Sequence, residues 1–145
     1  MVNKLVDGIT RAIYHQFGQE YHIYTENKEQ EMKEPCFFVS CVSPDDKRVL
    51  GNRYKLTNKF CIQYFPCSDE PKRECNTIRD ALVMALEYIE VEKEGLVEGT
   101  QFSAEYTNDF LTVFVNYDFY VYRKTDKEQK MEELNMKGGL ASGRQ

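Results

Sequence analysis

Two long stretches of two-residue alternation constrain this sequence more than any other feature. Between Tyr54 and Tyr64, Tyr54, Leu56, Phe60, Ile62 and Tyr64 share one parity, while Lys55, Thr57, Lys59, Cys61 and Gln63 share the other. Phe110 to Tyr122 alternates in the same way. Successive side chains of a strand point to opposite faces, so each stretch predicts a long strand with one face buried. Such strands need a sheet around them and an apolar layer above them. The ten Tyr, nine Phe and no Trp of the chain suit that sheet better than a helical bundle.

The covering layer is readable at helical spacing. Val2, Leu5, Val6, Ile9, Ala12, Ile13 and Phe17 recur at three- and four-residue steps, which predicts a helix from Val2 to Phe17 with Gly18 as a left-handed C-cap. Cys75, Ile78, Leu82, Ala85, Leu86 and Ile89 form a second stripe, expected to run to about Glu90. Ahead of it Pro66 ends a strand, Ser68 is placed to cap, Asp69 and Glu70 suit the positive helix start, and Pro71 fits a first turn. Burying each large residue of these stripes is worth about 1.5–3 kcal/mol, so both helices must lie on something apolar.

Three further strands complete the reading. Tyr21 to Thr25 is short, aromatic and β-branched. Cys36 to Val42 is a nearly continuous apolar run, implying burial on both faces, and Pro44-Asp45-Asp46 is expected to end it. Phe102, Ala104 and Tyr106 alternate with polar neighbours before a turn at Asn108-Asp109, following an acidic linker. The order is α-β-β-β-α-β-β, without the periodicity of a doubly wound fold. The expectation is an α+β domain over residues 1–122, a mixed or antiparallel sheet of about five strands carrying two amphipathic helices. A domain of this size buries roughly 68–70% of its unfolded surface, so a core is attainable without staples. Glu26 to Glu34 reads as a solvated loop. Residues 123–145 have few large apolar side chains and a net +2 charge, leaving −7 on residues 1–122, and read as a flexible tail.

The same residues argue against most chemistry. A net charge of −5 and a pI near 5.2 supply no overall positive field for nucleic acid or an anionic membrane. Asp7 interrupts the N-terminal apolar residues before they could form a signal-peptide core, and no run approaches the ~20 residues of a membrane span, which predicts a cytosolic protein. Cys36, Cys41, Cys61, Cys67 and Cys75 lack the paired spacing of zinc or redox sites and read as free thiols. Cys36 and Cys41 differ in parity and should face opposite sides of a sheet. His15 and His22 are too few for a metal centre, and nothing in their spacing joins either to a thiol. Leu50-Gly51-Asn52 is a turn rather than a phosphate loop, and the carboxylates Glu26, Glu29, Glu31 and Glu34 lack apolar surroundings that would tune them for acid-base work. No catalytic residue, cofactor or metal is expected.

One hairpin is more informative. Asp45, Asp46, Lys47, Arg48 and Arg53 surround Val49-Leu50-Gly51-Asn52, putting two aliphatic residues at an otherwise polar tip. Such a tip is an ordinary solvated hairpin, folds back on its own domain, or docks into a neighbour. Under the docking reading the candidate partner interface is Asp45, Asp46, Lys47, Arg48, Val49, Leu50, Asn52 and Arg53.

With Glu34-Pro35-Cys36-Phe37-Phe38, Val49-Leu50-Gly51-Asn52-Arg53-Tyr54, Ile62-Gln63-Tyr64-Phe65-Pro66 and Phe114-Val115-Asn116-Tyr117, the chain resembles a group of small tail proteins. These are encoded among the tail genes of phages and phage-tail-like elements of low-GC Gram-positive bacteria and are similar to tail terminators. The resemblance runs from the first helix to about Tyr122. It implies an α+β structural subunit, without catalytic residue or cofactor, that assembles as a hexameric ring in the host cytoplasm. The ring would end the tail tube and present a head-joining surface; the alternatives are another neck or tail-completion subunit, or a small-ligand-binding α+β domain. The implied partners are further copies of the chain, the tube protein, and sheath or head-completion proteins, with DNA only as passing cargo and no membrane.

Overall fold

A computed structural model of the chain describes residues 1–25 and 32–123. They form α1 (Val2–Phe17), β1 (His22–Tyr24), β2 (Cys36–Leu50), β3 (Arg53–Phe65), α2 (Pro71–Leu86), β4 (Tyr88–Val91), β5 (Gly95–Thr107) and β6 (Phe110–Tyr122). The strands make one sheet in the order β1-β2-β3-β6-β5-β4. It is mixed, because β1 runs parallel to β2 while the other pairs are antiparallel. This is the α+β architecture expected from the sequence, with one strand more. Glu26, Glu29 and Glu31 of the acidic loop, and tail residues 124–145, lie outside the described residues.

Alternation sets the burial. Leu56, Phe60, Ile62 and Tyr64 of β3 and Leu111, Val113, Val115 and Tyr117 of β6 are buried on one face of the sheet, under both helices. Leu5, Ile9 and Ile13 of α1 and Cys75, Ile78, Leu82 and Leu86 of α2 fill the layer above them. The polar groups of Asn58 and Tyr117, buried in this layer, have partners, as burial requires. The Tyr117 hydroxyl donates to the Leu86 carbonyl at 2.6 Å, and the Asn58 amide donates to the Tyr117 carbonyl at 3.1 Å. Two glycines let elements approach closely. A Cβ on Gly8 of α1 would lie 2.9 Å from the Glu90 carbonyl oxygen, and one on Gly99 of β5 would lie 2.6 Å from that of Leu86.

Local departures from the sequence expectation have physical reasons. Helix α2 stops at Leu86, and Ile89, which continues its stripe, points inward from β4 instead, paired with Val97. One apolar residue fits both periods, and only the β5 partner decides between them. The cap position of α2 is Glu70, not Ser68, and it carries no side-chain capping bond. Glu74 reaches back instead, accepting hydrogen bonds from the Ser68 N–H at 2.9 Å and the Cys67 N–H at 3.3 Å. Gly18 ends α1 at φ 89°, as glycine permits, but with ψ −172°, outside the left-handed cap.

The largest departure is in β2. Pro44-Asp45-Asp46 does not end the strand; these residues pair with Asn58, Thr57 and Leu56, and β2 continues to Leu50. Since β1 pairs only with residues 36–38, β2 is an edge strand beyond Phe38, and the missing N–H of Pro44 can face outward at no cost to the ladder. A bulge at Val42 precedes it, a device common on unpaired edges.

Candidate functional site

Three strands continue where the helices do not. Among the described residues, β2 is exposed at every position from Val42 to Leu50, although Leu56 beside it on β3 stays buried. The arm is a three-stranded ribbon, because β6 accompanies the hairpin to its tip. Its rungs are Asp45–Thr57–Asp118, Asp46–Leu56–Phe119, Lys47–Lys55–Tyr120, Arg48–Tyr54–Val121 and, at the end, Leu50–Arg53–Tyr122. Val49 is the extra residue of a bulge between Arg48 and Leu50, and Gly51 takes φ 59° in the two-residue turn. A third strand gives the hairpin a stability that an isolated pair would lack.

Side chains lock this ribbon on both faces. On one, the Arg123 guanidinium pairs with Asp46 at 2.7 Å and lies 4.7 Å from the Tyr54 ring centre, while its backbone N–H donates to the Asn52 carbonyl at 2.8 Å. On the other, the Arg53 guanidinium lies 4.1 Å over the ring of Tyr120. Arg48 folds over the turn and donates to the Gly51 carbonyl at 2.7 Å. Beside exposed charges, the arm presents apolar and aromatic side chains outward: Leu50 is 80% exposed, Tyr122 74%, Tyr120 51% and Val49 48%.

The candidate residues therefore divide. Val49 and Leu50 are presented at the tip, with Arg53 beside them. Asp46, Arg48 and Asn52 hold the arm together, while Asp45 and Lys47 flank it in rungs below the tip. Tyr120, Tyr122 and Arg123 belong to the same surface and were missed in the sequence, where Arg123 is expected to open the tail. A signal existed: Phe119, Tyr120, Val121 and Tyr122 are apolar or aromatic on both parities, so the strand end offers such side chains on both faces. The tip is also less mixed in charge than its composition suggests. Residues 47–55 hold four cations and no carboxylate, and the nearby Asp46 is engaged by Arg123.

Titrating groups elsewhere serve the fold. All five cysteines are free thiols. Burial, aided by Glu34, pushes Cys36 up to about 11, and burial, aided by Glu74 and Asp109, does the same to Cys75. Burial also raises Cys41 and Cys61. Thiols held protonated at neutral pH are weak nucleophiles. Cys36 and Cys41 face opposite sides of the sheet, as their parity requires: Cys41 pairs with Phe60 on the helix face and Cys36 with Phe65 on the other. Among the described residues no group of three or more His, Cys, Asp or Glu could hold a metal ion, and no helix is long and apolar enough to cross a membrane.

A family model described as phage tail terminator protein matches residues 4–129, spanning both helices, the whole sheet and the arm. The chain belongs to the phage tail terminator family. A comparison with curated proteins finds no match. The family is structural rather than catalytic, and membership makes this terminator a component of the virion tail that contacts other tail components. A terminator needs surfaces rather than a reaction centre.

Proposed function

We propose that this terminator assembles in the host cytoplasm as a ring, hexameric in number, that caps the tail tube and provides the head-joining surface. On this reading it is not an enzyme and requires no cofactor; its partners are further copies of itself, the tube protein and the sheath or head-completion proteins. The ring is the form that a self-associating tube end demands, since a closed symmetric contact stops growth where an open one continues it. Residues 1–123 act as the assembling unit, and the tail beyond them is dispensable for folding.

The observation that carries this reading is the arm, a three-stranded ribbon that presents Leu50 and Tyr122 to solvent. Large apolar side chains ringed by charge are the anatomy of a specific contact, an aliphatic or aromatic centre with a polar rim. Electron microscopy of tails assembled with and without the protein tests it: overlong tubes in its absence support termination, and tubes of unchanged length refute it. The Leu50→Asp variant tests the contact. With its side chain already in solvent, thermal unfolding should stay within about 0.5 kcal/mol of wild type, while ring formation and capping should fall sharply. A destabilised variant that assembles normally would refute the docking reading of the tip.

A further inference from the structure

At the opposite edge of the sheet, β4 has no second strand partner among the described residues, and α1 lies along it. Between them is a cavity of about 510 Å³ lined by residues including Gly8, Arg11, Tyr14, Tyr88, Glu90 and Leu96. Its floor is shallow because Gly8 brings the helix against the backbone of Glu90, and the Arg11 guanidinium holds that carbonyl at 2.9 Å. Its rim is apolar and open: Leu96 is 71% exposed, Tyr88 54% and Tyr14 50%. Arg11 and His15 line its helix side, and on the strand side Glu90 belongs to a strongly acidic segment that continues beside the cavity. Residues 87–98 carry five glutamates, Glu87, Glu90, Glu92, Glu94 and Glu98, all exposed, against a single lysine, Lys93.

We infer that the arm tip of one copy docks in the α1–β4 groove of a second copy, head to tail. The two surfaces complement each other in both respects that matter. The tip offers Leu50 and Tyr122 to a cavity edged by Leu96, Tyr88 and Tyr14, of a size that encloses small side-chain-like ligands, about 300–1,000 Å³. It brings four cations and no carboxylate from residues 47–55 to a segment with five carboxylates and one cation. In a chain that is acidic overall, a run of cations without a carboxylate stands at the tip and a glutamate-rich run at the far edge. Because β6 and β5 separate the arm hairpin from β4, a head-to-tail contact is heterologous: each added copy leaves one tip and one groove free, a geometry that forms a ring when the rotation between copies closes. The inference rests on the arm being an assembly contact, and adds the surface that receives it.

The experiment is a charge-reversal cycle on the full chain. Lys47→Glu with Lys55→Glu reverses the tip; Glu90→Lys with Glu92→Lys reverses the groove. All four side chains are exposed or at the margin of the arm, and thermal unfolding verifies that each variant folds. Sedimentation velocity across a concentration series should show self-association weakened at least about tenfold by either pair alone and recovered by the four together, as expected when two charged surfaces meet each other. Four results would overturn it. These are a groove reversal that leaves association unchanged, a combined variant that fails to recover, a wild-type chain that stays monomeric at all concentrations, or an arm reversal that abolishes binding of a DNA duplex while association persists. Tube length is read separately on the same variants. A groove-reversed protein that associates and caps normally removes this inference and leaves the terminator reading standing; wild-type rings that leave tubes overlong do the reverse.

Discussion

Burial alone would raise the pKa of Glu74, yet hydrogen bonds from Ser68, from the Tyr64 hydroxyl and from the Cys67 N–H outweigh it and hold the carboxylate below its ordinary value. A carboxyl whose pKa is lower in the folded chain than in the unfolded one stabilises the fold above the unfolded value, near 4.3, and loses that contribution as pH falls through the folded value. The wild type should therefore lose stability below about pH 4 more steeply than Glu74→Gln, and the variant should be weaker by about 1–2 kcal/mol at pH 7, both read by denaturant unfolding across pH. Arg123 offers a second test. Its ion pair and ring contact are half-exposed, so Arg123→Ala should cost only about 1 kcal/mol, whereas removing residues 124–145 should leave the thermal midpoint unchanged. A truncation more damaging than the point substitution would show that the tail packs. Neither residue stands out in the sequence. Glu74 is one of many glutamates on a helical pattern, and Arg123 begins a polar stretch; what sets them apart is a partner about ten positions away for one and 77 for the other.

Elements were legible wherever the hydrophobic period ran long enough. The stripes of α1 and α2 and the alternation of β3 and β6 extend over three turns or ten residues, so a stray residue does not change the reading. β4 has four residues and borrows its Ile89 from the helical stripe, and β2 runs through a proline that would end an interior strand, so these two needed the sheet order to be understood. Gly8 shows how packing between elements can reverse a local rule. A solvent-exposed helical glycine replaced by alanine normally gains about 0.5–1 kcal/mol. Here the new Cβ would meet the Glu90 carbonyl oxygen at 2.9 Å, a backbone atom that cannot swing aside. Gly8→Ala should therefore destabilise by about 1–3 kcal/mol, and a gain in thermal midpoint would show that α1 can slide away from β4.

At the scale of the whole molecule, half of the proposed contact was visible in the sequence. Val49 and Leu50 at a charged tip drew attention because a turn seldom carries them; the groove did not, since Tyr14, Tyr88 and Leu96 come from a helix and two strands that the sequence does not bring together. The acidic segment 87–98 reads as a linker until β4 and β5 fold it into an edge. That arrangement makes the assembly directional, which predicts the behaviour of mixtures. A chain with the Leu50→Asp substitution keeps its groove and loses its tip; a chain with Glu90→Lys and Glu92→Lys keeps its tip and loses its groove. Alone, neither should form rings. Mixed in equal amounts, the second can place its tip in the groove of the first, and growth then stops, because the remaining tip and groove are both disabled. The mixture should sediment as a heterodimer and form no ring, whereas wild type under the same conditions closes. A two-fold contact in which tip met tip would leave the groove-altered chain self-associating on its own. Rings in the mixture, or self-association of either variant at wild-type strength, would rule out head-to-tail docking of the arm.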